Sequence, residues 1–384
     1  MNLIINCPIC NSNNLFDFVN RKEIPVHQNL VYTSLKSAKN ATTGDMIFSV
    51  CEICGFIFNR AFEHEKLEYG DNYENSQLHS NIFNQHVSDI INNLINIGDI
   101  KNSKIMEIGC GNGQFLIKLM KSLDKSNTGY GFDPSYKKNS SILENNIVFS
   151  KKYFLSDSID FISDIVISRH VIEHIPEPIP FLQEIRKNIE KNSRVFTETP
   201  RIDWILKNHV FWDFTYEHCS FFSFNSITTA FEISGFKVMI KKAIFGEQYM
   251  WIECKKVDQG KISKNGKEIV KLTKEYLKAE KNIIKLWLEK ISKLQKNGKI
   301  ALWGAGGKGT TFANLLDPKN IIFDCIIDIN PKKWNKFIPG SGHIIINPKE
   351  IEEKKIKSII IMNPNYTNEV SKMIQNKDII LVNT

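Results

Sequence analysis

The sequence predicts an α/β protein with two Rossmann-like sheets, and three observations lead to this prediction. The central part of the chain alternates strand-like apolar runs with amphipathic segments. Two apolar runs, beginning at Lys104 and Lys299, lead directly into glycine-rich turns, as strand-to-helix connections of such sheets do. The chain has 384 residues, too many for one ordinary domain. We therefore expect four parts: a cysteine-containing domain over 1–68, a central domain over 69–258, a linker helix over 259–297 and a smaller C-terminal domain over 298–384.

The composition is that of a globular protein, with 42% hydrophobic and 24% charged residues. No apolar run reaches the roughly 18 residues that a membrane span needs, and the N-terminus lacks the features of a secretory signal. We therefore expect a cytoplasmic protein with no membrane partner. Much of the net charge of +8 comes from residues 261–296, which contain eleven Lys and four Glu and are predicted to form one long amphipathic helix. Because no arginine-rich patch or RNA-binding motif accompanies this charge, nucleic acid is not an expected partner.

Two cysteine pairs near the N-terminus share a C-x2-C spacing: Cys7 with Cys10, and Cys51 with Cys54. Each pair can direct two thiolates at one metal ion, and four thiolates complete a tetrahedral zinc site with no open position for catalysis. In a cytosolic protein such pairs indicate metal more often than disulfides. We therefore predict a structural Zn2+, with buried cysteines that bind no metal as the alternative.

The first glycine turn follows the run Lys-Ile-Met-Glu-Ile and reads Gly-Cys-Gly-Asn-Gly. Gly109, Gly111 and Gly113 allow the backbone to approach a ligand closely and start a helix whose N-terminus faces it. Glu107 lies at the strand end, where its carboxylate can bind an ammonium group. A second strand-like run ends about 20 residues later at Asp133, whose carboxylate can accept both hydroxyls of a ribose. A G-x-G-x-G turn after an acidic strand differs from the G-x-G-x-x-G of dinucleotide sites, and it favours S-adenosylmethionine over NAD.

A third strand-like run leads into the sequence Ser-Arg-His-Val-Ile-Glu-His. This stretch, over residues 164–174, resembles the class I S-adenosylmethionine-dependent methyltransferases. In that class the residues after this strand lie beside the adenine and the methyl group, so the resemblance makes His170 a candidate for the cofactor pocket. A hydrogen-bonded structural histidine is the alternative. Glu173 and His174 are expected to be structural.

Residues 212–223 follow another strand-like run, over residues 194–199, and should lie above the carboxyl edge of the sheet, where ligands bind. Within them Glu217 and His218 stand among aromatic residues. A histidine there can act as a general base, because its pKa lies near the working pH. Upstream, residues 73–79 form a polar cluster just before a predicted helix and can form a lid over the cofactor.

The C-terminal domain opens with a second glycine turn. Gly304, Gly306 and Gly309 satisfy G-x-G-x-x-G, and Lys308 within the turn is a phosphate-binding charge at a helix N-terminus. Taken alone this is a weak match to a dinucleotide site. Tyr366 follows a later strand, at another position where a ligand can lie. The alternative is that the glycines only allow a tight crossing of strand and helix.

Taken together, these motifs resemble the sugar-nucleotide C-methyltransferases of deoxysugar pathways, and the resemblance covers essentially the whole chain. It rests on the cysteine pairs, the two glycine turns and the Glu-His-x-Ser-x-Phe-Ser stretch. Members of this family methylate a 4-keto sugar attached to a nucleoside diphosphate. The resemblance implies that His218 removes a proton beside the ketone, that Glu217 shares its pocket, and that Tyr73 and His79 belong to the site. It also implies that the C-terminal domain helps to hold the nucleotide sugar.

The sequence departs from this family at one position. The family often has a tyrosine three residues before the catalytic histidine, where this chain has Thr215, followed by Tyr216. An enolate needs a donor for its oxygen, so Tyr216 or Tyr73 would have to serve. O-methylation of a sugar hydroxyl would use the same base without such a donor.

We therefore expect a methyltransferase with a central class I sheet, a zinc-binding N-terminal domain and a smaller Rossmann-like C-terminal domain that binds substrate. It would use S-adenosylmethionine to methylate a nucleotide-linked sugar, as a monomer or homodimer. Three alternatives stay open. They are an O- or N-methyltransferase acting on a sugar or polysaccharide precursor, an NAD-dependent oxidoreductase using the C-terminal glycine turn, and a non-catalytic zinc-ribbon binding module.

Overall fold

The computed structural model of the chain describes residues 3–67, 77–96, 98, 100–137, 142–143, 146–155, 159–258, 263–374, 376 and 378–384. These residues form three sheets, of four, eight and five strands. None of the helices in the described ranges combines the length and the apolar character that crossing a membrane requires.

The N-terminal sheet is antiparallel and is built mainly from one hairpin. Met46, Phe48 and Val50 point into its core, because side chains of a strand alternate between its faces. Two cysteine pairs lie at one end of this sheet, and Cys51 is the last residue of its second strand. The elements in chain order are β1 (Leu15–Pro25), α1 (Leu35–Lys39), β2 (Thr43–Cys51), β3 (Ile57–Asn59) and a 3₁₀ turn at His64–Lys66.

The central domain alternates strands and helices. Its helices begin at ordinary capping signals: Ser80 accepts a hydrogen bond from the Phe83 amide, and Ser223 forms a capping box with Ser226. The elements are α2 (Asn81–Ile95), β4 (Lys104–Ile108), α3 (Gln114–Lys121), β5 (Thr128–Phe132), β6 (Ile142–Leu143), β7 (Ile147–Ser150), β8 (Ser163–Arg169), α4 (Pro178–Lys187), β9 (Ile189–Pro200), α5 (Ile202–Lys207), β10 (Ser220–Phe221), α6 (Phe224–Ile233), β11 (Phe236–Ile244) and β12 (Tyr249–Lys256).

The eight-stranded sheet has the order β11-β12-β9-β8-β4-β5-β7-β6. Strands β4, β5, β7, β8 and β9 run parallel, whereas β12 runs antiparallel to both of its neighbours. The strand order reverses between β4 and β8, and doubly wound sheets bind ligands in the crevice at such a switch point. The predicted fold class, an α/β protein with a class I methyltransferase sheet, is confirmed. The short strand β10 leaves this domain and pairs with β3 of the N-terminal sheet.

The C-terminal domain is a second, fully parallel sheet with the order β15-β14-β13-β16-β17. Ser358 to Ile361 are all buried, as expected for a strand covered on both faces. Its elements, and the helix that precedes them, are α7 (Lys267–Gln295), β13 (Lys299–Trp303), α8 (Gly307–Leu316), β14 (Cys325–Ile327), β15 (Ile345–Ile346), β16 (Ile356–Ile361), α9 (Thr367–Met373) and β17 (Ile380–Asn383).

Helix α7 confirms the predicted long helix, although it begins at Lys267 rather than at residue 261. Its buried side chains, which include Ile269, Tyr276 and Ile291, join one hydrophobic core. The same core contains Phe48 of the N-terminal sheet and Phe312 of the C-terminal domain. Helix α7 therefore packs between these parts of the molecule rather than spanning a gap between them.

Candidate active site

The first glycine turn and the end of β5 are joined by hydrogen bonds. Gly111 donates its amide to Oδ2 of Asp133 at 2.7 Å, while Ser135 donates both its amide and its hydroxyl to Oδ1. The carboxylate of Asp133 is therefore held in one orientation above the sheet, in contact with the turn.

The three glycines of this turn have different surroundings. All three have positive φ, a conformation that glycine adopts without strain. A Cβ at Gly109 would lie 2.2 Å from Val171, and one at Gly113 would lie 2.4 Å from the Phe149 ring. A Cβ at Gly111 would meet no atom within 4 Å among the described residues. Gly109 and Gly113 thus serve close packing, while Gly111 faces open space where a ligand can approach.

Glu107 presents a buried carboxylate beside this open space. Its exposed fraction is 3%, and its Oε2 has no hydrogen-bond partner among the described residues. Burial penalises the charged form and raises the pKa of Glu107 to about 8, although the cation of Arg169 acts in the opposite direction. A ligand ammonium group would satisfy this oxygen. Glu107, Gly111 and Asp133 together fit a nucleoside that carries an amino acid.

A row of charged groups continues along the carboxyl edge of the sheet. Glu198 of β9 is fully buried and accepts hydrogen bonds from Arg169 Nε and from Nε2 of His86, both at 2.6 Å. His170 lies beside it, with Nδ1 3.2 Å from Glu173 Oε1. Burial lowers the pKa of His170, but the carboxylates of Glu198 and Glu173 outweigh it and raise the pKa to about 9. His170 is therefore an imidazolium between two carboxylates, close to the first glycine turn.

His218 lies next to His174 at the same edge. Their ring centroids are 4.9 Å apart, and both rings can place a nitrogen within 4.8 Å of a Glu173 oxygen. Burial and the neighbouring His218 lower the pKa of His174 to about 4, and burial also lowers the pKa of His218. Both rings are therefore uncharged at neutral pH, so either can accept a proton. From the sequence, His174 is expected to have a structural role. No local sequence pattern indicates that His174 lies beside His218.

Glu217 faces the N-terminal segment. Its Oε1 lies 3.2 Å from Nδ1 of His27, and both side chains are buried. The next residue, Gln28, places its side-chain oxygen 3.5 Å from the Glu217 amide. The loop after β1 therefore forms one wall of the site, a contribution that the sequence did not predict.

The remaining catalytic candidates lie in different places. Tyr216 is buried with its hydroxyl bonded to the Glu63 backbone, 2.9 Å from the amide, so it faces the N-terminal domain rather than His218. Thr215 is buried, and its Oγ1 has no hydrogen-bond partner among the described residues. His79 is exposed in the turn before α2. Tyr73 lies outside the described residues.

The second glycine turn reaches the same region from the C-terminal domain. A Cβ at Gly309 would lie 1.9 Å from the Gly304 carbonyl oxygen, so these two glycines allow the strand and helix to cross closely. Gly307 is different, because the nearest atom to a Cβ there, among the described residues, would be in the Thr215 side chain at 3.8 Å. A Cβ at Gly306, the N-cap of α8, would similarly lie 3.7 Å from the Asn29 side chain. The N-terminus of α8 thus opens onto the site.

Charged side chains around this turn already have partners. Nζ of Lys308 lies 2.5 Å from Oδ2 of Asp213. Asp328, at the strand end where a dinucleotide site would have its ribose-binding acid, accepts the Ala305 amide at 2.8 Å and pairs with the buried Lys333. The hydroxyl of Tyr366 bonds to Gln77, beside the undescribed residues 68–76. The predicted roles of Lys308 and Tyr366 in substrate binding stay predictions.

The four N-terminal cysteines converge. Sγ of Cys7 lies 3.6 Å from Cys54, and Sγ of Cys10 lies 3.5 Å from Cys51. These separations are too long for disulfides, whose sulfurs lie about 2.05 Å apart. All four sulfurs lie within 4.8 Å of one another, an arrangement that can hold one metal ion.

Two family models match the chain. Residues 79–240 match a methyltransferase domain, and residues 264–380 match a C-methyltransferase C-terminal domain. The chain therefore contains a region that matches methyltransferase domains, followed by a region that matches the C-terminal domain of C-methyltransferases. No curated protein sequence matches it.

Several solved methyltransferase structures are similar to slightly less than half of the chain. A magnesium protoporphyrin IX methyltransferase from Synechocystis PCC 6803, with S-adenosylhomocysteine bound, is 16% identical over 46% of this chain and 84% of its own, with a TM-score of 0.36. CalO1, a methyltransferase of calicheamicin biosynthesis, is 11% identical over 45% of this chain and 54% of its own, with a TM-score of 0.36. A SAM-dependent methyltransferase from Aquifex aeolicus is 13% identical over 47% and 96%, with a TM-score of 0.35.

Proposed function

We propose that this methyltransferase transfers the methyl group of S-adenosylmethionine to a carbon beside the ketone of a sugar attached to a nucleoside diphosphate. One observation carries the proposal: the neutral pair His174 and His218 lies at the same sheet edge as the first glycine turn, while a Cβ placed on Gly307 of the C-terminal glycine turn would lie 3.8 Å from Thr215. A base, a donor site and an anion site therefore converge on one region.

The donor site is formed by the central sheet. Glu107 would bind the ammonium group of the ligand, and Asp133 would bind its ribose. The open space beside Gly111 would let the ligand lie close to the backbone of the turn. When bound, S-adenosylmethionine supplies an electrophilic methyl group on a sulfonium centre. The residues of the chain have to align the acceptor and remove its proton.

His218 is the general base in this proposal. An uncharged imidazole would take the proton from the carbon beside the ketone onto a ring nitrogen, which leaves the electron pair of the C–H bond in an enolate. That pair would form the new bond to the methyl group as the methyl–sulfur bond of the donor breaks and S-adenosylhomocysteine leaves. The carboxylate of Glu173 favours the resulting imidazolium, because it is the strongest of the charges that raise the pKa of His218. His174 lies against the same ring and restricts its orientation.

The enolate oxygen needs a hydrogen-bond donor, and we assign Thr215 to this role. Its hydroxyl is buried at 3% exposure and has no partner among the described residues, so it is free to donate. Tyr216, the donor considered from the sequence, is bonded to the Glu63 backbone instead. A threonine thus replaces the tyrosine of the resembled family at the same position.

The diphosphate would bind at the N-terminus of α8. Backbone amides at a helix start attract anions, and the turn at Gly306 and Gly307 leaves room beside Gln28 and Asn29. Lys308 forms an ion pair with Asp213. In this proposal its positive charge would be shared between Asp213 and the phosphate.

We also propose that the four N-terminal thiolates hold a structural Zn2+. Zn–S bonds of about 2.3 Å place the sulfurs of a regular tetrahedron about 3.8 Å apart. The separations of 3.5 Å and 3.6 Å between the cysteine pairs agree with this edge length.

O-methylation of a sugar hydroxyl is the second candidate, and the short side chain of Thr215 favours it, because this reaction needs no oxyanion donor. Two measurements separate the candidates. Mass spectrometry of a panel of nucleotide sugars, with and without a 4-keto group, identifies the acceptor. Solvent deuterium exchange without S-adenosylmethionine then shows whether a C–H bond is broken.

We expect a mass increase of one methyl group only for 4-keto substrates, and deuterium exchange beside the ketone that His218→Ala abolishes. Methylation of sugars that lack a keto group, without C–H exchange, would show that the acceptor atom is oxygen rather than carbon. No methylation of any nucleotide sugar, with methyl transfer to another class of acceptor, would remove the substrate assignment.

A further inference from the structure

Arg169 is a charged residue of the carboxyl edge that neither the motifs nor the proposed function uses. It is the last residue of β8 and pairs with Glu198 across the sheet. Glu107 of β4 pairs with Ile167, two residues before Arg169. Because side chains two residues apart share one face of a strand, Glu107, Arg169 and Glu198 all point toward the face that α2 and α3 cover.

The guanidinium of Arg169 lies beside the glycine turn. Its central carbon is 4.5 Å from the centre of the Phe115 ring, and Phe115 is in the first turn of α3, directly after Gly113. The side chain is only 9% exposed. An arginine that stacks on this ring is held at the point where the turn and helix meet the crevice of the sheet.

Only part of the guanidinium is occupied. Nε donates to Glu198, whereas the two Nη groups make no hydrogen bond to the described residues. Arginine has five N–H donors in a planar fork that fits a carboxylate with two parallel bonds. Glu198 is itself shared with His86, so its charge is not committed to Arg169 alone. Glu198 and His86 therefore orient the arginine without saturating it.

The cation of Arg169 and the buried carboxyl group of Glu107 both keep polar atoms without a hydrogen-bond partner among the described residues. Arg169 is the neighbouring cation that lowers the pKa of Glu107. Within the described residues, however, no hydrogen bond or ion pair joins the two side chains. Oε2 of Glu107 is buried without a partner. A ligand with both an ammonium and a carboxylate group on one carbon would satisfy both side chains at once.

We propose that Arg169 binds the α-carboxylate of the methionine part of the methyl donor, while Glu107 binds its α-ammonium group. This assignment rests on the proposed function, because it requires S-adenosylmethionine as the donor. Arg169 is then a specificity residue: it selects an intact amino acid over nucleosides that lack the carboxylate. The alternative is that Arg169 only neutralises Glu198 and contributes nothing to the ligand.

A panel of three ligands tests the proposal on the wild-type chain by calorimetry. S-adenosylhomocysteine carries both charged groups, its decarboxylated analogue keeps only the amine, and 5′-methylthioadenosine has neither. We expect affinity to fall by about tenfold to a hundredfold at each of the two steps, the scale of one charged hydrogen-bonded contact. Equal affinity for S-adenosylhomocysteine and its decarboxylated analogue would overturn the carboxylate assignment while leaving the proposed function intact.

Variants then identify the residue. Arg169→Gln should weaken S-adenosylhomocysteine by about tenfold to a hundredfold but leave the other two ligands within about twofold, and Arg169→Lys should recover part of the loss. Glu107→Gln should weaken both amine-bearing ligands and spare 5′-methylthioadenosine. Arg194→Gln is the matched control, because Arg194 also pairs with a glutamate on a neighbouring strand, but far from the crevice.

The outcomes are distinct. If Arg169→Gln binds S-adenosylhomocysteine like the wild type, or loses all three ligands equally, Arg169 has only a structural role and the proposal fails. If the wild-type chain binds none of the three ligands, the proposed function itself fails. The ligand panel on the wild type needs no variant, so a variant that does not fold leaves the carboxylate assignment testable.

Discussion

His218 is half-buried beside another histidine, and these surroundings decide at which pH it can act as a base. Burial lowers its pKa below the usual 6.5, and the cations of His170 and Lys308 act in the same direction. The carboxylates of Glu173 and Asp213 oppose them without reversing the shift. The ring is therefore uncharged over a wider range of pH than an exposed histidine would be.

A pH profile of kcat/KM tests this role of His218. Only the uncharged ring accepts a proton, so activity should fall as the pH drops through the pKa of His218, and the midpoint should lie below 6.5. His218→Ala should lose about 10²- to 10⁴-fold in kcat with donor affinity unchanged, the usual scale of general-base catalysis. His64→Ala, at an exposed histidine, is the control. Full activity of the His218 variant would remove the base assignment.

The proposed role of Glu107 makes donor binding depend on pH in the same direction, but near a higher pH. Burial raises its pKa to about 8, so below that pH most of the free protein carries a protonated Glu107. An ammonium ligand favours the carboxylate, and binding should therefore release a proton and tighten as the pH rises toward 8. Calorimetry of S-adenosylhomocysteine in two buffers of different ionisation enthalpy measures this release. Glu107→Gln should abolish it, whereas identical heats in both buffers for the wild type would contradict the prediction.

Elements with a strong local pattern were predictable from the sequence. The strand and glycine turn around Gly109, the turn at Gly304 and the long helix before it follow from apolar spacing and from the need for positive φ or close approach. The two-residue strand β10 was not predictable, because Ser220 and Phe221 are too few to show a period. Its pairing with β3 depends on the packing of two domains that are distant in sequence.

The same distinction holds for the site. Glu107, Asp133 and His218 stand beside motifs, so the sequence indicated them. His27 was missed because its partner Glu217 is 190 positions away, and His86 was missed because Glu198 is 112 positions away. Contacts of this kind form only when the folded chain brings distant residues together at the edge of the sheet. The spacing of residues along the sequence does not indicate them.

Helix α7 begins against the turn that carries Cys51 and Cys54, which we call the second cysteine knuckle. One glycine makes this contact possible. Gly266 has an ordinary helical φ, but a Cβ there would lie 2.6 Å from the backbone nitrogen of Gly55. Neither backbone can move without disturbing the turn that carries Cys54. Gly266→Ala should therefore destabilise the protein by about 1–3 kcal/mol, the cost of overpacking a close contact.

Chemical denaturation measures this change. Asn265→Ala, at the exposed neighbouring position, should stay within about 0.5 kcal/mol of the wild type. An unchanged free energy of unfolding in Gly266→Ala would mean that the start of α7 does not press on the knuckle.

At the scale of the whole molecule, the site belongs to three parts of the chain. Besides the shared core, Thr310 of α8 donates to the Gln28 carbonyl at 3.1 Å, and Gln248 exchanges two amide hydrogen bonds with Asn363 of the C-terminal domain. Glu369 accepts the Asn81 amide at the start of α2. The residues proposed to bind the donor, by contrast, lie within the central domain, so acceptor binding should depend more on domain assembly than donor binding does.

Metal removal tests this division. The four thiolates fix the end of β2 and the knuckle beneath α7, and the N-terminal sheet in turn carries His27 to Glu217. Chelation, or Cys51→Ser, should remove about one equivalent of zinc and lower Tm by on the order of 10 °C or more, because binding of a structural zinc contributes directly to folding. At a temperature where the variant stays folded, kcat should fall while affinity for S-adenosylhomocysteine changes by less than about threefold. Cys325→Ala, a buried cysteine outside the cluster, should keep its zinc. Metal-free protein with the Tm and kcat of the wild type would contradict both the zinc site and its connection to the acceptor side of the active site.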